Sequence, residues 1–238
     1  MEVIANESHI RIRRKIGERA PLVGLLLLVV STVLVFMKPE WIWGTMALVW
    51  VGFLVSLTGS YLGERYVGPN AHHKRVPEAL KGLSSEYTLL VYELASPFVL
   101  VEPGGLTVIS VKSQAGEIAY QNGRWQHKQH LGILRRFAGQ ESLGRPDRLA
   151  DAEVEMVKRD LSKRLTAHAA QVPVRGVVVF THPDVVLTVD AEAAPMPALR
   201  AAELKRWLRR NPLKPVLPDE VQNALQEALG LEAGAPTR

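Results

Sequence analysis

Hydrophobic positions fall into two regimes along this chain. Near the N-terminus, Ala20 to Met37 and Trp41 to Gly63 are runs of eighteen and twenty-three residues without a charge, separated only by Lys38-Pro39-Glu40. At about 1.5 Å of rise per residue the first run makes a helix of roughly 27 Å, close to the hydrocarbon thickness of a bilayer. The pair is therefore expected to form a transmembrane helical hairpin. Trp41 and Trp43 at one end of the second run, and Tyr61 and Tyr66 near the other, suit the membrane interface. Gly24, Gly44, Gly52, Ser31 and Ser56 offer small contact points between the two helices. A cleaved signal peptide followed by a buried helix fits less well, because the first run is longer than an ordinary signal region and no small-residue cleavage site precedes the second.

Beyond Val76 the apolar runs shorten and alternate with polar turns. Strands are predicted at Tyr87–Tyr92, Phe98–Glu102, Leu106–Lys112, Glu117–Tyr120 and Arg124–Gln126, then at Val174–Phe180 and Val185–Val189. Pro103-Gly104 and Asn122-Gly123 supply tight turns, so the first five strands read as a meander. Ala150, Val154, Val157, Leu161 and Leu165 recur at helical steps and predict a helix from Asp147 to Ala167, with acids toward its start and bases toward its end. Further helices are expected at Val76–Leu83, Ala201–Arg210 and Pro218–Leu229. Strands, a helix, more strands and closing helices make a mixed α/β domain.

Charge orients this layout. Arg11, Arg13, Arg14, Lys15 and Arg19 precede the first span, and Arg65, Lys74, Arg75 and Lys81 follow the second, while the loop between them holds one lysine. The positive-inside rule then predicts a two-pass protein of the cell membrane with both termini cytoplasmic. The expected organisation is a basic N-terminus over 1–19, spans over 20–37 and 41–63, a juxtamembrane linker over 64–75, a cytoplasmic domain over 76–229 and a loose tail over 230–238. The spans carry no internal ionisable residue, so the hairpin reads as an anchor in the lipid bilayer rather than a transport path. The chain has no cysteine, which excludes disulfides, thiolate metal sites and cysteine nucleophiles.

The stretch Val99-Leu100-Val101-Glu102-Pro103-Gly104-Gly105-Leu106-Thr107-Val108-Ile109-Ser110-Val111-Lys112, followed by Gly116-Glu117-Ile118, Gly123-Arg124-Trp125, Val177-Val178-Val179-Phe180-Thr181 and Leu217-Pro218-Asp219-Glu220-Val221, resembles the nuclease-related domain (NERD) family. The resemblance covers roughly Val76 to Leu229. It implies a restriction-endonuclease-like α/β fold of the PD-(D/E)xK class, a mixed sheet with flanking helices, here preceded by the transmembrane hairpin. It also implies a site in which an aspartate and a Glu-x-Lys pair converge. Residues two apart on a strand share a face, two carboxylates hold Mg²⁺, and the lysine helps to orient or activate the attacking water.

Carried over by position, Lys112 matches the motif lysine, Ser110 stands in place of the glutamate, and Pro97 or Phe98 stands near the aspartate. Both acids are missing, so Lys112 and Ser110 mark a degenerate catalytic site with no metal ligand set and no cofactor. Glu102 is an odd step from Pro97 and faces away, while Glu93, Glu64, Glu78 and Glu86 lack a telling spacing. Arg124, Trp125, Lys128, Arg135 and Arg136 mix cations with rings in a way that suits DNA or RNA. The expected function is therefore a membrane-anchored, inactive NERD-like module that binds nucleic acid or a protein partner. The alternative is a Mg²⁺-dependent nuclease with a rearranged acidic site.

Overall fold

In the computed structural model, residues 1–68, 71–128, 142–165, 168–189 and 194–231 are described. They divide into two compact units, one built on Glu7–Arg75 and the other on Met1–Asn6, Val76–His127 and the chain from Leu143 onward.

The first unit is the helical hairpin. Helix α1 runs from Glu7 to Met37, a 3₁₀ turn covers Pro39–Trp41, and α2 runs from Ile42 to Tyr66. Helix α1 ends at Met37, as expected, but begins well before the first span, because the charged stretch from Glu7 to Arg19 continues the same helix, and α2 runs past Gly63. The buried positions of α1 are Ile10, Gly17, Gly24 and Ser31, and those of α2 include Thr45, Gly52, Gly59 and Tyr66. Both sets repeat every seven residues, the spacing that keeps one stripe of each helix against its partner. Small residues let the backbones touch: a Cβ on Gly17 would stand 2.8 Å from the Gly63 nitrogen, and one on Gly24 would stand 2.6 Å from the Ser56 nitrogen. Of the expected contact points Gly24, Gly52, Ser31 and Ser56 lie at or beside this seam, whereas Gly44 is exposed.

Only 11% and 17% of the most apolar stretches of the two helices are buried within the protein, so their remaining surface is apolar and uncovered. That distinguishes them from core helices of a water-soluble domain. Both are long and apolar enough to cross a membrane.

The second unit is the α/β domain. Its main sheet has the strand order β1-β2-β3-β4-β7-β9, with β1 at Glu2–Ala5, β2 at Thr88–Val91, β3 at Phe98–Glu102, β4 at Gly105–Lys112, β7 at Val174–Phe180 and β9 at Ala198–Arg200. Strands β2, β3 and β4 are antiparallel neighbours, and β4 pairs in parallel with β7. Leu106 in β4 and Val174, Gly176 and Val178 in β7 belong to near-continuous apolar runs, the pattern of strands covered on both faces. Strands β5 (Gly116–Gln121) and β6 (Arg124–Lys128) leave this sheet and join β8 (Val185–Val189) in a second sheet, so the expected five-strand meander stops at β4. The turn between β5 and β6 has Asn122 and Gly123 at φ 52° and 71°, the left-handed pair that a two-residue hairpin requires.

Helix α3 covers His72–Leu80, α4 Pro146–Arg164, α5 Ala201–Arg210 and α6 Asp219–Ala228. The apolar stripe of α4 is buried at Ala150, Val154, Val157 and Leu161, as its periodicity predicts. Val154, Val157 and Leu161 pack with Val99, Val101, Leu106 and Val108 of the sheet and with Val221 and Leu225 of α6. On the opposite face Arg175 lies over the Trp207 ring of α5 at 4.6 Å. Lys205 Nζ and Arg209 Nη2 donate to the carbonyls of Lys81 and Gly82, capping the chain that leaves α3.

Two segments depart from the sequence-based layout. The N-terminal stretch is not only a basic arm, since Glu2–Ala5 adds a parallel edge strand to β2, with Ile4 packed against the main core. The juxtamembrane linker is also shorter than 64–75, because α2 extends to Tyr66 and α3 starts at His72.

Candidate functional site at the end of strand β4

Strand alternation fixes which side chains meet. Leu106 and Val108 of β4 share the α4-covered face with Val99 and Val101 of β3, so Ser110 and Lys112, two and four residues further on, lie along the same face. Ser110 pairs with Val178 and Lys112 with Phe180 in the parallel ladder. Continuing the β3–β4 register from Val99↔Val108 sets Pro97 across from Ser110. The two motif positions where acids are expected therefore do converge, and they are occupied by proline and serine.

Both retained positions are enclosed. Ser110 is 1% exposed and Lys112 is 6% exposed, so the lysine does not extend its head into bulk water. The Ser110 hydroxyl has no hydrogen-bond partner among the described residues. The Lys112 carbonyl accepts from the Thr181 amide at 2.9 Å and the Thr181 hydroxyl at 3.3 Å, which locks the strand end in place. Gln114 is also fully buried just beyond.

A tight loop closes the other side. Tyr92 has φ 60°, unusual for a residue with a side chain, and its amide donates to the Pro97 carbonyl at 2.8 Å. Within this loop the buried Ser96 hydroxyl donates to Glu153 Oε2 on α4 at 3.3 Å. Glu153 was absent from the sequence-derived candidates because its partner lies 57 positions away. The available signal was its place in the helix, between Ala150 and Val154 at the margin of the buried stripe.

Glu102 lies on the opposite face, as its odd spacing from Pro97 requires. It accepts from Arg175 Nη2 at 2.9 Å and 3.1 Å and from the Thr107 hydroxyl, while Arg175 Nε donates to Thr107 at 2.7 Å. This acid is consumed by a buried, fully paired cluster. Burial, and then the Glu102 charge, push the nearby Tyr87 phenol above its ordinary value.

The second candidate group is divided. Arg124, Gln126 and Lys128 are exposed on one face of β6, whereas Trp125 turns inward, with its ring 5.1 Å from Tyr120 and 6.5 Å from Phe180. Its Nε1 donates to Asp147 at 3.0 Å. The expected interleaving of ring and cations is thus split by strand alternation. His127 likewise contacts the Ala115 carbonyl at 2.7 Å. Arg135 and Arg136 lie outside the described residues.

With strands, crossover helix and motif hairpin in this order, residues 71–181 match the nuclease-related domain family. The chain carries a nuclease-related domain. Neither a curated protein nor a solved structure matches the chain. The NERD fold class implies a divalent cation, and the donor set at β4 does not fit one. A hard dication needs anionic oxygens, and the motif positions supply a neutral hydroxyl, a proline and an ammonium. Among the described residues, no group of three or more His, Cys, Asp or Glu side chains could hold a metal.

Proposed function

We propose that this chain is a two-pass membrane protein whose NERD domain, held at the cytoplasmic surface, binds a protein partner and does not cleave phosphodiesters. The observation that carries the reading is the enclosed pair Ser110 and Lys112 opposite Pro97, a motif hairpin retained in shape without its two acids. A nuclease site must admit a phosphate and a metal together, and a lysine buried at a strand end beside a proline and a serine offers neither an anionic metal ligand nor access.

The anchor follows from two adjacent helices with uncovered apolar surfaces and bases at both outer ends. The pairing of β1 with β2 supports an even number of spans, with the segment before α1 and the domain after α2 on one side of the membrane. Full-length protein in detergent, incubated with single- and double-stranded DNA and RNA in Mg²⁺ or Mn²⁺, is expected to leave every substrate intact. Cleavage that disappears in Lys112→Ala would overturn the proposal. Reporter fusions at both termini should read cytoplasm, and an external C-terminus would reject the orientation.

A second reading, nucleic-acid binding without cutting, is favoured by the exposed row Arg124, Gln126 and Lys128 on β6. Such binding would be sequence-independent and would weaken steeply with salt. Absence of binding at low salt leaves the protein-partner reading alone.

A further inference from the structure

A buried ammonium is stabilised by a counter-charge, and among the described residues the face of the sheet that carries Lys112 offers few. Glu102 is on the other face and bound to Arg175. Glu86, Glu93, Glu117, Asp151 and Asp184 are exposed. Asp147 receives the Trp125 indole. Glu153 differs from all of these. It is half-buried on α4, whose Ala150, Val154 and Val157 cover this face, and its carboxylate reaches Ser96, the residue before Pro97. Pro97 in turn continues the register opposite Ser110, one strand alternation from Lys112. Lys112 is itself not without an interaction partner.

We infer that Glu153, borne on α4 instead of on a strand, is the acid that serves Lys112, and that this neutral pair fills the place where a NERD site of ordinary composition would hold a cation. One carboxylate and one ammonium sum to zero, leaving only neutral oxygens from Ser96 and Ser110 for a metal, which is too little for a hard dication. In such a pair each charge offsets part of the desolvation of the other. Glu153 is thus a positioning residue for Lys112. The inference deepens the non-cleaving reading and rests on it.

The test is a double-mutant cycle on the full chain in detergent, using Glu153→Gln, Lys112→Met and both together, with Glu153→Asp as the conservative variant. Thermal unfolding is followed with and without millimolar Mn²⁺. Each single substitution should lower the melting temperature by several degrees. The double variant should lose clearly less than the two singles combined, Glu153→Asp should retain most of the stability, and Mn²⁺ should leave the wild type unmoved. Additive losses, or a silent Glu153→Gln, overturn the pairing. A Mn²⁺-induced rise that vanishes in Glu153→Gln also overturns it, and makes Glu153 a metal ligand. Coupled losses in a protein that nevertheless cuts nucleic acid keep the pair and reject the non-cleaving reading, whereas uncoupled losses in an inert protein reject the pair alone.

Discussion

Gly24 and Gly52 meet backbone to backbone across the helical hairpin: a Cβ on Gly24 would stand 2.6 Å from the Gly52 carbonyl oxygen, and one on Gly52 would stand 3.0 Å from the Gly24 carbonyl oxygen. No side chain fits there without moving a helix. Gly24→Leu should therefore destabilise the hairpin by about 1–3 kcal/mol, the range for overpacking a closed interface. Gly44→Ala is the control, since the nearest atom to a Cβ there is Trp41 Cε3 at 4.0 Å. Melting of both variants in the same detergent checks this. Equal behaviour would mean that the seam does not hold the helices.

On the domain side, Arg175 is the residue whose loss should cost most. Its guanidinium serves Glu102, Thr107 and the Asn211 carbonyl and lies on Trp207, while the Glu102 side chain is 1% exposed. Arg175→Met leaves that carboxylate buried and unpaired, a change that costs about 3–5 kcal/mol. Arg175→Lys keeps the charge but not the fork, and should recover only part. Denaturant unfolding measures both, and a loss below about 1 kcal/mol for Arg175→Met would contradict the role given to the cluster.

Trp125 and Arg124 are sequence neighbours with opposite expected phenotypes. Trp125 packs on Tyr120 and Phe180, so Trp125→Ala should destabilise the fold by about 2 kcal/mol or more. Arg124→Ala with Lys128→Ala removes two exposed cations and should leave the melting temperature within about a degree, consistent with ordinary surface substitutions. If the nucleic-acid reading holds, the same double variant flattens the salt dependence of binding by about two ions. Fluorescence anisotropy across a salt series reads that slope.

The sequence was most legible where local pattern and tertiary role agree. Strands β3, β7 and β8 and helix α5 lie on the predicted residues, because continuous apolar runs end at turn formers or change period there. The spacing of Ala150, Val154, Val157 and Leu161 identified the buried side of α4. Long-range choices were not legible. Whether β5 follows β4 in the same sheet is decided by β7 taking the free edge of β4, and that competition leaves no local mark. Strands β1 and β9 have four and three residues, too few for alternation to register. Ser110 and Lys112 were singled out by the resemblance to the NERD motif, whereas the contact of Glu153 with Ser96 depends on a helix returning over that loop.

His73 gives the hairpin unit a defined acid sensitivity. Burial, and then the charges of Lys74 and Arg14, lower its imidazole from the ordinary value, with Glu7 acting in the opposite sense. The folded protein therefore favours the neutral ring, while the unfolded chain takes up its proton first as the pH falls through about 6.5. By linkage, the His73 contribution is fully present above about pH 6.5 and is lost as the pH drops through the lowered folded value. His73→Asn removes the titration and should flatten the decline in melting temperature between about pH 7 and about pH 5. A wild-type slope retained in that variant would assign the acid sensitivity to another group. A steeper slope would mean that the ring favours its charged form in the fold, contrary to the burial at its position.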